Sequence, residues 1–189
     1  SPFVSSFLTE VTYWERTLSS MAETIELIII VQTAWQYLLN IFEVEDIQKQ
    51  LPTETTLFKK TNNQWKIVME MLSETRNALK GTQKDGLFSD LQEMNENLEQ
   101  IQRQLDDYLE LKRQEFPRFY FLSDADLLEI LGQAKDPHAV QRHLENCFEG
   151  ISKLRIEKVG SGKHQQYQAK AMISKRGEEI AFVHPVILE

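Results

Sequence analysis

A chain of 189 residues that is 41% hydrophobic, 10% aromatic and 26% charged has the balance of a globular protein with one large or two small domains. Its 29 acidic and 21 basic side chains leave a net charge of -8, which argues against a sequence-blind grip on nucleic acid. The single cysteine, Cys147, excludes an internal disulfide framework and a multi-cysteine zinc site.

Ser1-Pro2-Phe3 lacks the basic start and apolar core of a signal peptide. The longest apolar run, Leu27–Val31, falls far short of the ~18–20 residues that span a bilayer, so no membrane partner is expected. With no initiating Met and an apolar ending at Val186-Ile187-Leu188, the sequence reads as a piece of a longer polypeptide.

Phe7, Val11, Trp14, Leu18, Met21, Ile25, Ile28, Gln32, Trp35, Leu39 and Phe42 follow 4-3 spacing, and neither Gly nor Pro intervenes between Phe3 and Phe42. This predicts one long helix, roughly 58 Å at 1.5 Å per residue, with those positions on its seam. Asp46–Leu51 reads as a short turn or helix closed by Pro52. Thr53 then offers an N-cap, and Leu57, Phe58, Trp65, Val68, Met69, Leu72 and Leu79 place a second helix over Thr53–Leu79. After the polar Gly81–Gly86 connection, Leu87, Leu91, Met94, Leu98, Ile101, Leu105 and Tyr108 predict a third helix that Phe116-Pro117 ends. Long helices joined by short connections should lie antiparallel around a shared seam, with Trp14, Trp35 and Trp65 packed into it.

The character changes at Pro117. Phe119-Tyr120-Phe121-Leu122 reads as extended, alternation sending Phe119 and Phe121 inward and Tyr120 outward, so Arg118 and Tyr120 are the candidate partner contacts. Ser123 caps a helix that Gly132 ends, and Asp136-Pro137 opens another with Val140, Leu144, Cys147 and Phe148 inward. From Ile151 the period becomes two: Leu154–Val159, Tyr167–Ile173 and Ile180–Val183 predict a small antiparallel sheet, turning at Gly160–Gly162 and Lys175–Glu178. The fold class is therefore mainly α, an elongated bundle of long antiparallel helices with a small antiparallel β element near the C-terminus. The expected portions are residues 1–116 and 117–189. Net balances of -5, -6 and +3 over residues 1–52, 53–150 and 151–189 make the β end mildly basic against acidic helices.

Catalytic patterns are wanting. Val159-Gly160-Ser161-Gly162-Lys163-His164 imitates the end of a phosphate-binding loop, but Glu157 and His164 stand where Gly and Ser or Thr are needed, and no helix follows. The spacing of His138, His143, His164 and His184 makes no metal constellation, and Cys147 on an apolar face reads as an inert buried thiol. Asp124 and Asp126 suit a helix start, with no His, Lys or Ser placed beside them by spacing. No catalytic, cofactor-binding or metal-binding residue is expected.

Phe116-Pro117-Arg118-Phe119-Tyr120-Phe121-Leu122-Ser123, followed by Asp126-Leu127-Leu128-Glu129-Ile130-Leu131, resembles the linker region of dynein heavy chains. Trp35-Gln36-Tyr37-Leu38, Gln50-Leu51-Pro52, Leu98-Glu99-Gln100-Ile101-Gln102, Asp107-Tyr108-Leu109-Glu110 and Cys147-Phe148-Glu149 continue the resemblance in order. Leu39-Asn40 stands where that family often carries Glu-Pro, which implies a straighter helix here. The Asp136–Gln141 stretch is more similar to ciliary, axonemal dyneins than to the cytoplasmic cargo motor.

The resemblance implies a mechanical linker, or lever, that arches over a ring of AAA+ modules of the same heavy chain. ATP and Mg are bound by that ring, not by this segment, and the power stroke acts on a microtubule. The implied setting is the ciliary or flagellar axoneme of the cytoskeleton, with the cytoplasm as the alternative and other dynein chains as further partners. A lever needs a hinge with two arrangements of similar energy; Gly81, Gly86, Gly132 and Pro137 are the candidate positions. Arg118 and Tyr120 become candidate contacts to the ring. The rival reading is a static helical scaffold that only spaces protein partners.

Overall fold

The structure, a computed structural model, describes residues 7–133, 136–160 and 166–188. The element order is α1 (Leu8–Phe42), α2 (Glu45–Gln50), α3 (Pro52–Thr75), α4 (Ala78–Thr82), α5 (Leu87–Glu115), a 3-10 turn (Pro117–Phe121), α6 (Asp124–Gly132), α7 (Pro137–Gln141), α8 (Leu144–Cys147), then β1 (Lys153–Val159), β2 (Gln166–Ile173) and β3 (Glu179–Leu188). The mainly α class with a small C-terminal antiparallel sheet is what forms. Two units divide these elements. One holds the described part of Ser1–Glu43 together with Leu51–Leu105, and the other holds Val44–Gln50 and the described part of Asp106–Glu189.

In the first unit α1, α3 and α5 pack side by side. Trp35 lies 6.3 Å from Trp65 and Phe42 stacks 5.3 Å from Phe58, so rising numbers on α1 meet falling numbers on α3 and the two run antiparallel. Lys60 pairs with Glu93 at 3.0 Å, while Pro52 and Thr56 share a groove with Gln100, which makes α5 antiparallel to α3 as well. The α5 seam is as expected: Leu87, Leu91, Met94, Leu98, Ile101 and Leu105 are 0–2% exposed.

α1 is continuous through Ser19-Ser20 and Leu39-Asn40, but its buried face follows the expected seam only toward its C-terminal end, at Trp35 and Phe42. Thr17, Thr24, Val31 and Leu38 are buried, each one position before a predicted seam residue, joined by Ile41 and Phe42. Thr is small enough to let helices approach closely, and a buried hydroxyl is tolerated when it bonds to the carbonyl one turn back. Thr24 does so to Ser20 O at 2.8 Å, as Thr61 on α3 does to Leu57 O at 3.1 Å. Trp14 is accordingly a correction, because it stands 43% exposed, while Trp65 is 2% exposed and Trp35 half-buried with its Nε1 donating to Asn62 Oδ1 at 2.9 Å. By length and composition α1 could cross a membrane, unlike the short apolar run taken alone. Its face toward α3 and α5 is committed to protein packing.

α3 departs from expectation at both ends. Pro52 rather than Thr53 opens it, since a ring without an N–H and with φ already near -65° fits a first helical turn. The helix stops at Thr75 because Arg76 turns left-handed, with φ 46°, and Asn77 then caps the separate α4 by accepting from Lys80 N at 3.0 Å. Gly81 is therefore helical and buried, a Cβ there meeting Leu72 Cδ2 at 3.2 Å, whereas Gly86 sits at φ 84° in an open connection.

In the second unit, the predicted helix after Asp136 breaks into α7 and α8, and the sheet orders β1-β2-β3 in antiparallel register. β1 pairs Lys153 with Ile173 and Val159 with Gln166. Its outer edge is occupied by one side chain: Gln141 donates to Leu154 O at 3.0 Å and accepts from Leu154 N at 2.8 Å, a substitute for a neighbouring strand. β3 pairs Ala181 with Ala171 and Val186 with Ala169, so the stretch between Ala181 and Val186 bulges, and Val183 is 91% exposed there. Of the phosphate-loop imitation Val159–His164 and its turn Gly160–Gly162, only Val159 and Gly160 are described; Ser161–His164 lie outside the described residues.

Candidate functional site

Pro117 forces Phe116 into an extended conformation, φ -135°, and the chain then winds into a 3-10 turn instead of the expected strand. Phe119 N bonds to Phe116 O at 2.9 Å and Leu122 N to Phe119 O at 3.1 Å. A period of three puts Phe119 and Leu122 on one side, against Ile130, Cys147, Val140 and Phe148. Phe121 consequently turns outward and is 71% exposed, the reverse of what alternation implied. Phe116 closes the aromatic cluster edge-on to Phe119 at 4.9 Å and tilted to Phe148 at 6.4 Å.

Arg118 and Tyr120, the expected partner contacts, both hold positions within the chain. The Arg118 guanidinium donates to Cys147 O at 3.0 Å and lies 4.6 Å over the Phe148 ring, locking the turn to the end of α8. Burial pushes the Cys147 thiol up, partly offset by the Arg118 charge, consistent with an inert sulfur. Tyr120 is 53% exposed and its hydroxyl donates to Glu110 Oε1 at 2.6 Å, tying the turn back to α5. Arg113 makes the companion tie, to Asp124 Oδ1 at 2.5 Å.

The Tyr120 hydrogen bond holds the Glu110 carboxyl below its ordinary range, with Gln114 assisting, and pushes the phenol up in turn. Tyr120→Phe should therefore raise the Glu110 pKa, read by carbon-13 NMR titration of its side chain. A depressed carboxyl lends stability above its unfolded pKa and loses it as pH falls through the folded one, so the variant should lose its deficit in acid. A Glu110 titration that does not move would show that the bond is not formed in solution.

The candidate hinge residues are dispersed. Gly81 is packed in α4, Gly86 lies in the connection to α5, and Pro137 starts α7 behind Asp136, whose side chain accepts from His138 N at 3.0 Å. Gly132 ends α6, where an added Cβ would meet Val44 Cγ1 at 2.9 Å, so close packing rather than looseness requires glycine there.

One polar cluster escaped the sequence. His143, between α7 and α8, is buried, with Nε2 3.2 Å from Glu129 Oε2 and Nδ1 3.5 Å from Asp126 Oδ1. Asp126 and Glu129 are three apart on α6, so a His does stand beside these carboxylates, brought from 14 and 17 residues away by folding. Donor atoms of the three lie within 4.8 Å of one another, a set that a cation could use. Each group is already engaged, however: Glu129 also binds Arg142 Nη1 at 2.8 Å and Asp126 accepts from Ser123 Oγ at 2.7 Å. The arrangement works as a clamp between α6 and the α7–α8 corner. Pro137, Val140, Gln141, Leu144, Leu154, Ile156, Ile187 and Leu188 line a groove of about 260 Å³, small for a ligand cleft, and the polar end of Gln141 is spent on β1.

The family described as "Dynein heavy chain, N-terminal region 2" matches residues 1–189. The chain belongs to the dynein heavy chains. It is 53% identical over its whole length to dynein axonemal heavy chain 2 of Mus musculus and equally to that of Homo sapiens. It is 50% identical to the Chlamydomonas reinhardtii protein described as "Dynein-1-beta heavy chain, flagellar inner arm I1 complex". In each case the whole chain is covered, but it spans only about 4% of these curated relatives' length. The axonemal character expected from Asp136–Gln141 agrees with these dynein relatives. The Phe116–Ser123 block that carried the resemblance is thus the 3-10 turn at which α5, α6 and α8 of this dynein segment are fastened together.

Proposed function

We propose that this segment is the mechanical linker, or lever, of an axonemal dynein heavy chain, passing ATP-driven changes in the AAA+ ring of the same chain to a stroke along a microtubule. It resides in the ciliary or flagellar axoneme and works beside other dynein chains. It performs no reaction of its own; ATP and Mg belong to the ring. The observation that carries this reading is the α5 seam, seven residues from Leu87 to Leu109 at no more than 2% exposure. A helix buried on one side along that length resists bending, which a force-bearing element needs. The ring contact is assigned to the outward face of the 3-10 turn, Tyr120 and Phe121, while Arg118 holds that turn in place.

The test is Phe121→Ser in the complete heavy chain, an exposed site where folding should be unaffected. Microtubule gliding should slow about 2- to 30-fold, the range of a 0.5–2 kcal/mol coupling loss, with a smaller change in ring ATPase. Unchanged gliding and ATPase would leave the static scaffold as the better account of this surface.

A further inference from the structure

Arg76, between α3 and α4, is the one residue other than glycine with positive φ among the described residues, at φ 46° and ψ 17°. A Cβ in that left-handed region is crowded by the following carbonyl oxygen, which is why glycine ordinarily ends helices in this way. The sequence asks for no break at this point. From Thr53 to Leu79 neither Gly nor Pro interrupts the helical stripe, yet the chain turns a corner at Arg76.

Two sets of interactions compete there. The corner is held by the Asn77 side chain, which accepts from Lys80 N at 3.0 Å, and by α4 folding back on α3. Gly81 and Thr82 are buried as a result, and a Cβ on Gly81 would stand 3.2 Å from Leu72 Cδ2 and 3.9 Å from Thr75 Cγ2. Against the corner stand the left-handed arginine and the helical bonds that a straight run through Arg76 and Asn77 would add. Arg76, Asn77 and Ala78 are all exposed, so no buried side chain fixes the bend itself. The two forms differ widely in shape: one continuous helix would carry Gly81 about 13 Å beyond Leu72, beside which it now lies.

We propose that Arg76 is the pivot of a two-state joint, at which α3 and α4 either meet in the present corner or run on as one helix from Pro52 to Thr82. Straightening relieves the strained residue, and bending restores the cap and the packing of Gly81 on Leu72. Gly81 belongs to the joint as the contact that locks the corner, not as its flexible point. The service of this joint to a lever rests on the function proposed above, because a bending rod requires one element with two arrangements of similar energy.

Spin labels on ketone-bearing residues at the exposed positions Lys59 and Lys80 of the complete heavy chain read the joint by dipolar electron paramagnetic resonance. Along one helix these positions lie about 32 Å apart, and across the corner roughly 10 Å less. The parent chain should show the short distance with a minor long one. Arg76→Gly relieves the corner and weakens the helix, so the long fraction should fall about tenfold. Asn77→Ala with Gly81→Ala deletes the cap and crowds Leu72, so the long fraction should rise about tenfold. Asn77→Ala alone, at an exposed site, shifts the balance in the same direction if circular dichroism shows the pair unfolded. A single short distance in the parent chain and in the Asn77 variants would overturn the proposal. A balance that answers to the variants but not to ATP in the ring upholds the joint and counts against the lever alone.

Discussion

Trp65→Ala should lower the stability of the first unit by about 3–5 kcal/mol, while Trp14→Ala should change it by less than about 0.5 kcal/mol. Trp65 is 2% exposed, so truncation removes a large apolar surface and leaves a cavity beside Trp35, whose ring lies 6.3 Å away. Collapse into that space is resisted because Trp35 is held by its hydrogen bond to Asn62. Trp14 is 43% exposed and touches Tyr13 edge-on at 5.5 Å, on its own helix, so little packing is lost with it. Urea denaturation of the two variants reads the difference directly. A loss below about 1 kcal/mol at Trp65 would mean that α1 and α3 do not close over it.

The two tryptophans occupy equivalent places in the 4-3 pattern, which is why sequence could not separate them. Periodicity reports that a helix has an apolar face; it does not report how many partners that helix has. α5 was legible because its apolar stripe serves one packed interior, from Leu87 to Leu105. α1 was misread by one position because the bundle closes on Thr17 and Thr24, which hydropathy counts as polar, and because the first part of its more apolar neighbouring stripe, Phe7 to Leu18, is exposed. The 3-10 turn was misread for a related reason. Four residues, Phe119–Leu122, cannot distinguish a period of two from a period of three, and Pro117 permits either.

What sequence could carry at Phe116–Ser123 was identity, since an unusual run of aromatic residues around a proline marks a family even where its local conformation is misjudged. What it could not carry was the clamp. Asp126 and Glu129 declare themselves as neighbours on α6 by their spacing, but only a fold that returns α7 and α8 to α6 brings His143 to them. The partners of Gln141 are hidden in the same way, because a glutamine that completes a strand edge has no sequence signature distinct from one in solvent.

His143→Ala should destabilise the second unit by about 2–3 kcal/mol, the loss of a hydrogen bond to a charged group together with a buried ring. The ring is 4% exposed and spans from Glu129 to Asp126, so it fixes the first turns of α6 against the corner where α7 gives way to α8. His143→Leu separates the two contributions, since it keeps most of the volume and forfeits both polar contacts. Glu129 retains Arg142 and Asp126 retains Ser123, so neither carboxylate is left without a partner by either variant. If packing dominates, Leu should recover most of the stability lost in Ala; if the clamp is electrostatic, the two variants should be nearly equal. Chemical denaturation of the three proteins side by side gives that ordering, and a loss below about 0.5 kcal/mol in the Ala variant would show that α6 and the α7–α8 corner are held by the Leu122, Ile130 and Cys147 core alone.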